Sequence, residues 1–171
     1  MKRTIPAVFV ILVLLYSVSC GKKEEKPQSL QTNVPFTCTA QISYDTLSLE
    51  AKLTYRNIAG ATLEVLSPDT LQGLIFEYDG ENTRASYKGL SFSLAELNSA
   101  LPSAARLIFS SLASASSEKN TEDAGDSFKI SGRLDSAPYT LYFDKKSGYL
   151  KKFSCPSLNF EANFKDFEFL D

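Results

Sequence analysis

From Phe36 onward apolar residues return at every second position, and this spacing constrains the fold more than any other feature of the chain. Phe36, Cys38, Ala40, Ile42 and Tyr44 alternate with Thr37, Thr39, Gln41 and Ser43. Successive side chains of an extended strand point to opposite faces, so the pattern predicts a strand buried on one side. A second run repeats it: Leu47, Leu49, Ala51, Leu53 and Tyr55 inward, with Ser48, Glu50, Lys52, Thr54 and Arg56 outward. Residues 57–60 read as a turn, residues 61–66 as a third strand, and Ser67-Pro68-Asp69 as a break. Leu74, Phe76 and Tyr78 then alternate up to Asp79-Gly80, a hairpin signal. Residues 83–87 follow, and Lys88-Gly89 turns the chain into Leu90-Ser91-Phe92. Strands joined in succession by short turns predict an antiparallel meander with one apolar face.

At Ser93 the period changes. Ser93-Leu94-Ala95-Glu96 reads as a capping box, and Leu94, Leu97 and Leu101 follow at helical spacing. Pro102 suits the first turn of a second helix carrying Ala105, Ile108, Phe109 and Leu112. Residues 113–126 are small, polar and acidic, and are expected to form a mobile loop. Strands resume with Phe128 to Gly132, then Tyr139, Leu141 and Phe143, and then residues 149–155 after the turn at Asp144. Phe160, Ala162 and Phe164 alternate, Lys165-Asp166 breaks the phase, and Phe167 and Phe169 resume it, which predicts a bulge. The expected class is α+β: a mostly antiparallel sheet of about nine strands with a central helical insert.

Composition excludes several functions. The chain has 171 residues, enough for one domain with a substantial core, and contains no His. Without imidazole there is no Ser-His-Asp or Cys-His nucleophile and no histidine metal ligand. Asp79, Asp144 and Asp166 each stand beside a turn, where Asp is expected for backbone reasons. Ser103 and Ser110 lie in a Ser/Ala-rich helical stretch with no nearby Lys, and no G-x-S-x-G or phosphate-loop motif occurs. The expectation is a protein that is not an enzyme and holds no cofactor or metal. Removing residues 1–19 deletes Lys2 and Arg3 and leaves 16 basic against 20 acidic residues, a net −4. Such a surface lacks the clustered cations that nucleic acid requires.

The N-terminus has its own logic. Met1-Lys2-Arg3 is followed by an uncharged, almost wholly apolar run over residues 5–18, shorter than the roughly twenty residues of a spanning helix. It ends in Ser17-Val18-Ser19-Cys20, with small residues where a signal peptidase needs them. A Cys directly after them resembles the bacterial lipobox, which makes Cys20 the lipidated first residue of the mature protein. The alternatives are a plain secretory signal and an uncleaved anchor. Residues 20–35 are polar and aperiodic, as a tether would be. The expected organisation is therefore a signal peptide over 1–19, a lipidated tether over 20–35 and a domain over 36–171. The first partner is then a membrane, cell or outer, held through the N-terminal lipid on its extracytoplasmic face. In that oxidising setting the remaining Cys38 and Cys155 are either bridged or two buried free thiols.

The order of strands, helical insert and further strands resembles the LolA/LolB-like lipoprotein carrier and receptor superfamily. The likeness is carried by Thr62-Leu63-Glu64-Val65, by Leu74 to Gly80, by Tyr87-Lys88-Gly89-Leu90 and by Phe160 to Phe164 before Phe167. It covers roughly residues 36–171. It implies a curved, incomplete antiparallel barrel with helices packed in its concave face, enclosing an apolar cavity for lipid or lipoprotein acyl chains. Two departures stand out: an anchor such as the receptor has, and no helix before the first strand, where residues 21–35 are polar and hold two prolines. Residues placed to line such a cavity are Leu53, Leu63, Phe76, Tyr87 and Phe92 on the sheet and Leu101, Ile108 and Phe109 on the helix. The competing expectation is that they pack as a closed core in an envelope sensor or assembly lipoprotein, with the acidic stretch 118–126 as a contact.

Overall fold

The computed structural model describes residues 34–57, 60–93, 100–115, 121–134 and 136–170, with backbone alone at 57, 92, 93, 100 and 101. Cys20, the signal segment and the tether up to residue 33 lie outside the described residues, as do Leu94 to Glu96 of the capping box and Leu97. Six strands come first: β1 (Phe36–Tyr44), β2 (Leu47–Asn57), β3 (Gly60–Ser67), β4 (Ile75–Tyr78), β5 (Thr83–Tyr87) and β6 (Leu90–Ser93). Helix α1 (Ala100–Ala115) follows, and then β7 (Glu122–Ala124), β8 (Ser127–Leu134), β9 (Ala137–Asp144), β10 (Leu150–Cys155) and β11 (Phe160–Phe169). A single 3-10 turn, Pro156–Leu158, joins the last two strands.

All eleven strands form one antiparallel sheet in the order β6-β5-β4-β3-β2-β1-β11-β10-β9-β8-β7. The first six walk outward from the middle, the last five walk back in, and β11 closes beside β1. Every link between consecutive strands joins sheet neighbours except that from β6 to β7, which stand at opposite edges. The chain between them must cross one face of the sheet, and α1 lies in that crossing, packed against β1, β2, β4, β8 and β9. Buried apolar side chains extend from Phe76 on β4 through Leu53 and Ala40 to Ile130 on β8. A flat sheet of this many strands would be about 50 Å wide. A helix about 24 Å long and 10–12 Å thick covers that face only where the sheet curls around it. The architecture is an open, curved antiparallel sheet folded over a helix.

Local chemistry sets the hairpins. Lys88 (φ 49°) and Gly89 (φ 82°) both take positive φ, the two-residue turn whose twist suits a hairpin. The Asp79 carboxylate accepts hydrogen bonds from the backbone N–H of Glu81 (3.1 Å) and Asn82 (2.7 Å). Asp144 does the same for Lys146 (3.0 Å) and Ser147 (2.8 Å). These bonds to the charged form hold both carboxyls below their ordinary range. The predicted bulge is present. Thr37 pairs with Glu168 and Thr39 with Lys165, so Cys38 alone opposes two residues, and Asp166 there has φ 57°. The extra residue returns Phe167 to the inner face, 5.3 Å from the Phe36 ring.

Four expectations are corrected. The sheet has eleven strands, not about nine, and among them Glu122–Ala124 pairs with β8 as an unexpected edge strand although it lacks an apolar alternation. The stretch 113–126, expected as one loop, instead gives its first three residues to α1 and this strand to the sheet. Leu101, expected to follow Leu94 and Leu97 in an earlier helix, lies in α1 (Ala100–Ala115), which has Pro102 in its first turn as expected. Pro102 is tolerated there because first-turn N–H groups have no intrahelical acceptor.

The fourth correction concerns the cysteines. Cys38 and Cys155 are both buried and free. Cys155 pairs with Phe160, and Phe160 with Tyr44, six positions along β1 from Cys38. That offset is about 20 Å along the strand direction. A disulfide needs Cα atoms within about 7 Å, so the register forbids this bridge.

Candidate ligand-binding site

Five of the eight residues expected to line a cavity are packed in the closed core. Leu53 and Leu63 are fully buried, as are Phe76, Ile108 and Phe109. The Phe109 ring stacks on Tyr78 at 5.6 Å with 17° between planes, which fills the space between helix and β4. Tyr87 is half-buried at the end of β5, with the Lys88 ammonium 5.0 Å over its ring. The side chains of Phe92 and Leu101 lie outside the described residues.

Among the described residues, a cavity lies elsewhere. A half-open cavity of about 310 Å³ lies between α1 and the rim of the sheet, lined by Tyr44, Ser103, Arg106, Leu107, Ser110, Leu134, Ala137 and Leu158. Four of these come from α1 at the spacing i, i+3, i+4, i+7, one stripe of a 3.6-residue helix. Leu107 is almost buried and anchors the stripe against the core, whereas Arg106 reaches solvent.

The opposite wall is assembled from three chain reversals. Leu134 and Ala137 face each other as the last pair of the β8–β9 hairpin. Leu158 ends the 3-10 turn, which Asn159 closes in a left-handed conformation by donating its N–H to the Pro156 carbonyl (3.1 Å). The Asp45 N–H donates to the Asn159 carbonyl (3.1 Å), tying this turn to the end of β1 and so placing Leu158 near Tyr44.

An aromatic ladder supports the Tyr44 side. Tyr139 on β9 meets Phe153 on β10 edge-to-face at 5.8 Å. Phe153 contacts Phe160 on β11 at 4.9 Å, and Phe160 contacts Tyr44 on β1 at 5.7 Å. Each ring occupies the same face of a neighbouring strand, so the ladder is a direct product of register. The cavity thus combines apolar surface with one guanidinium and three hydroxyl-bearing residues, Ser103 and Ser110 on the helix and Tyr44 on β1. Among the described residues that line it there is no carboxylate.

The eight lining residues were mostly not legible beforehand. Tyr44 was expected on the inner face, and the helical stripe follows from spacing. The partners of that stripe come from turns more than twenty residues away along the chain, and no periodicity reports them. Among the described residues no group of three or more Cys, Asp or Glu is placed to hold a metal ion. Nor is any described helix long and apolar enough to cross a membrane.

No protein-family model matches the sequence, and no curated protein matches it. Solved structures do. An uncharacterized conserved protein from Thermus thermophilus is 12% identical with a TM-score of 0.50, over 81% of this chain and 80% of that one. A LolA superfamily protein from Nitrosomonas europaea is 8% identical with a TM-score of 0.42, over 84% and 89%. The lipoprotein LppX of Mycobacterium tuberculosis is 13% identical with a TM-score of 0.39, over 79% and 86%. At such identities the likeness is one of fold alone. The chain's own architecture, an open antiparallel sheet curled over a helix, is the one that its sequence resemblance to the LolA/LolB-like superfamily implies.

Proposed function

We propose that this chain is a lipid-anchored envelope lipoprotein, tethered through Cys20 on the extracytoplasmic face of a membrane, whose domain binds a hydrophobic ligand and catalyses no reaction. The observation that carries the binding part is the half-open cavity of about 310 Å³ against α1. Its size stands at the lower end of the range for small-molecule sites, roughly 300–1,000 Å³, and concave apolar walls with a few polar groups are the usual composition of such sites. The anchor rests on the lipobox-like Ser17-Val18-Ser19-Cys20 and the polar segment after it.

The test uses the chain from residue 20 with Cys20→Ser, which carries no lipid of its own and keeps every described strand and the helix. Native mass spectrometry is expected to find a co-purified lipid, and a fluorescent fatty-acid analogue is expected to bind. Leu107→Trp fills the cavity and is expected to abolish binding. Ala137→Trp, on the opposite wall, gives the same result if Leu107→Trp proves unstable. A clean mass and no analogue binding would reject the ligand. The second reading then takes its place: an envelope sensor or assembly lipoprotein, favoured by the tight packing of Leu53, Leu63, Phe76, Ile108 and Phe109.

A further inference from the structure

We infer that the end of the sheet where β1 begins and β11 finishes is a membrane-seating surface, which rests in the headgroup region of the bilayer that holds the chain. This rests on the reading of Cys20 as a lipid anchor and adds how the domain itself meets the membrane. Among the described residues the large apolar side chains left exposed are Val34, Leu90 and Phe169. Two of the three stand together. Phe169 pairs with Phe36, two residues after Val34, and the Leu170 N–H donates to the Pro35 carbonyl (3.1 Å). The half-buried Tyr149 ring lies 5.1 Å from both Phe169 and Phe167, which joins these residues into one apolar and aromatic lip. Strand alternation turns the exposed Glu168 to the opposite face from Phe167 and Phe169, so that carboxylate is directed away from the lip.

The occupant follows from where the chain outside the structure ends. Residues 20–33 join the domain at Val34, inside this lip, and span at most about 50 Å fully extended. A covalent anchor keeps the domain beside the bilayer at an effective concentration on the order of millimolar, so a few apolar contacts suffice to orient it. Phe, Val and Leu lose apolar surface to the lipid there. Tyr149 suits the boundary, since its ring is apolar and its hydroxyl still reaches water or phosphate. Seated in this way, the domain turns the cavity at the Tyr44 end away from its own membrane. Leu90 lies at that far end too, because the paired register from Phe36 through Tyr55, Ala61 and Tyr78 reaches Thr83, and β5 then runs away from it to Tyr87, the partner of Leu90.

The chain contains no Trp, so a single one reports its own surroundings. Protein from residue 20 is coupled through the Cys20 thiol to a maleimide-headed phospholipid in phosphatidylcholine vesicles; Cys38 and Cys155 are buried. In the Phe169→Trp chain, emission is expected to shift to shorter wavelength and to be largely quenched when brominated phosphatidylcholine is used. Leu90→Trp is expected to remain unquenched. Adding Val34→Ser and Leu170→Ser to Phe169→Trp is expected to relieve the quenching. Val34→Trp reads the same surface if Phe169→Trp unfolds. Equal quenching of the two ends, or of neither, would overturn the seating surface and leave the anchor standing. A blue shift without vesicles that grows with protein concentration would overturn it in favour of a second copy of the chain. The anchor has its own readout: labelled palmitate is expected to enter the full chain in bacteria and to be lost with Cys20→Ser, and absence of label would overturn the anchor.

Discussion

Cys38 shows how burial changes the chemistry of a single side chain. It lies on the inner face of β1 opposite the bulge, 2% exposed, and its thiol is pushed up to about 12 by burial and then by the Asp166 carboxylate. A neutral, buried thiol is a poor nucleophile, since the thiolate is the reactive form. Native protein at pH 8 is therefore expected to leave Cys38 unmodified by a disulfide-exchange reagent, and unfolding in urea to release it. The pH dependence has a definite sign. The folded state keeps a proton that the unfolded state loses above about 9, so stability falls as pH rises from about 9 toward about 12. Tyr55, raised by burial and by Tyr78, acts in the same direction. Cys38→Ala is expected to shrink the loss of urea midpoint between pH 8 and pH 10, and an undiminished loss would exclude the thiol as a cause.

At the scale of elements, the β8–β9 hairpin carries one constraint that composition hides. Gly132 pairs with Tyr139, and a Cβ on Gly132 would lie 2.8 Å from the Tyr139 ring carbon Cε1 and closer still to the phenol oxygen. In an ordinary strand a glycine weakens packing. Here it makes room for the ring that starts the ladder through Phe153 and Phe160 to Tyr44. Gly132→Ala is expected to cost about 1–3 kcal/mol of stability, the usual range for overpacking, and thermal unfolding measures it. A variant of unchanged stability would mean that Tyr139 moves aside freely. Helix α1 was legible from its spacing, with Ile108, Phe109 and Leu112 all buried as expected. Its partners were not: the same apolar stripe satisfies any apolar surface, and the turn that presents Leu158 depends on a backbone bond between Asp45 and Asn159.

Across the whole molecule, the two ends of the described chain meet in the middle of the sheet. β1 pairs with β11 along nearly its full length, and Leu170 donates its N–H to the Pro35 carbonyl (3.1 Å). Ending the chain after Asn159 removes β11, exposes the inner edges of β1 and β10 and uncovers Phe36 and Cys38. Such a chain is expected to lose cooperative urea unfolding, and a preserved transition would show that the halves fold independently. The ends of the sheet also divide the work. The chain enters at Phe36, beside a cluster in which Tyr149 meets Phe167 and Phe169, each at 5.1 Å. The cavity opens by Tyr44 at the other end of β1, about 27 Å away by strand rise.

What the amino-acid order determines by itself is local: which residues alternate, where Asp79, Lys88-Gly89 and Asp144 reverse the chain, and where Asp166 adds one residue to β11. These follow from backbone sterics and period, which act within a few residues. The length and polarity of residues 1–35 likewise set the expectation of an exported, tethered domain without any structure. Only the tertiary structure decided that Cys38 and Cys155 stand too far apart to bridge, because their separation depends on the register of three strands. It alone decided that five of the eight expected lining residues are buried in the core and that a half-open cavity sits beside Arg106. A cavity is the volume that packing leaves unfilled, and that volume depends on how distant segments meet.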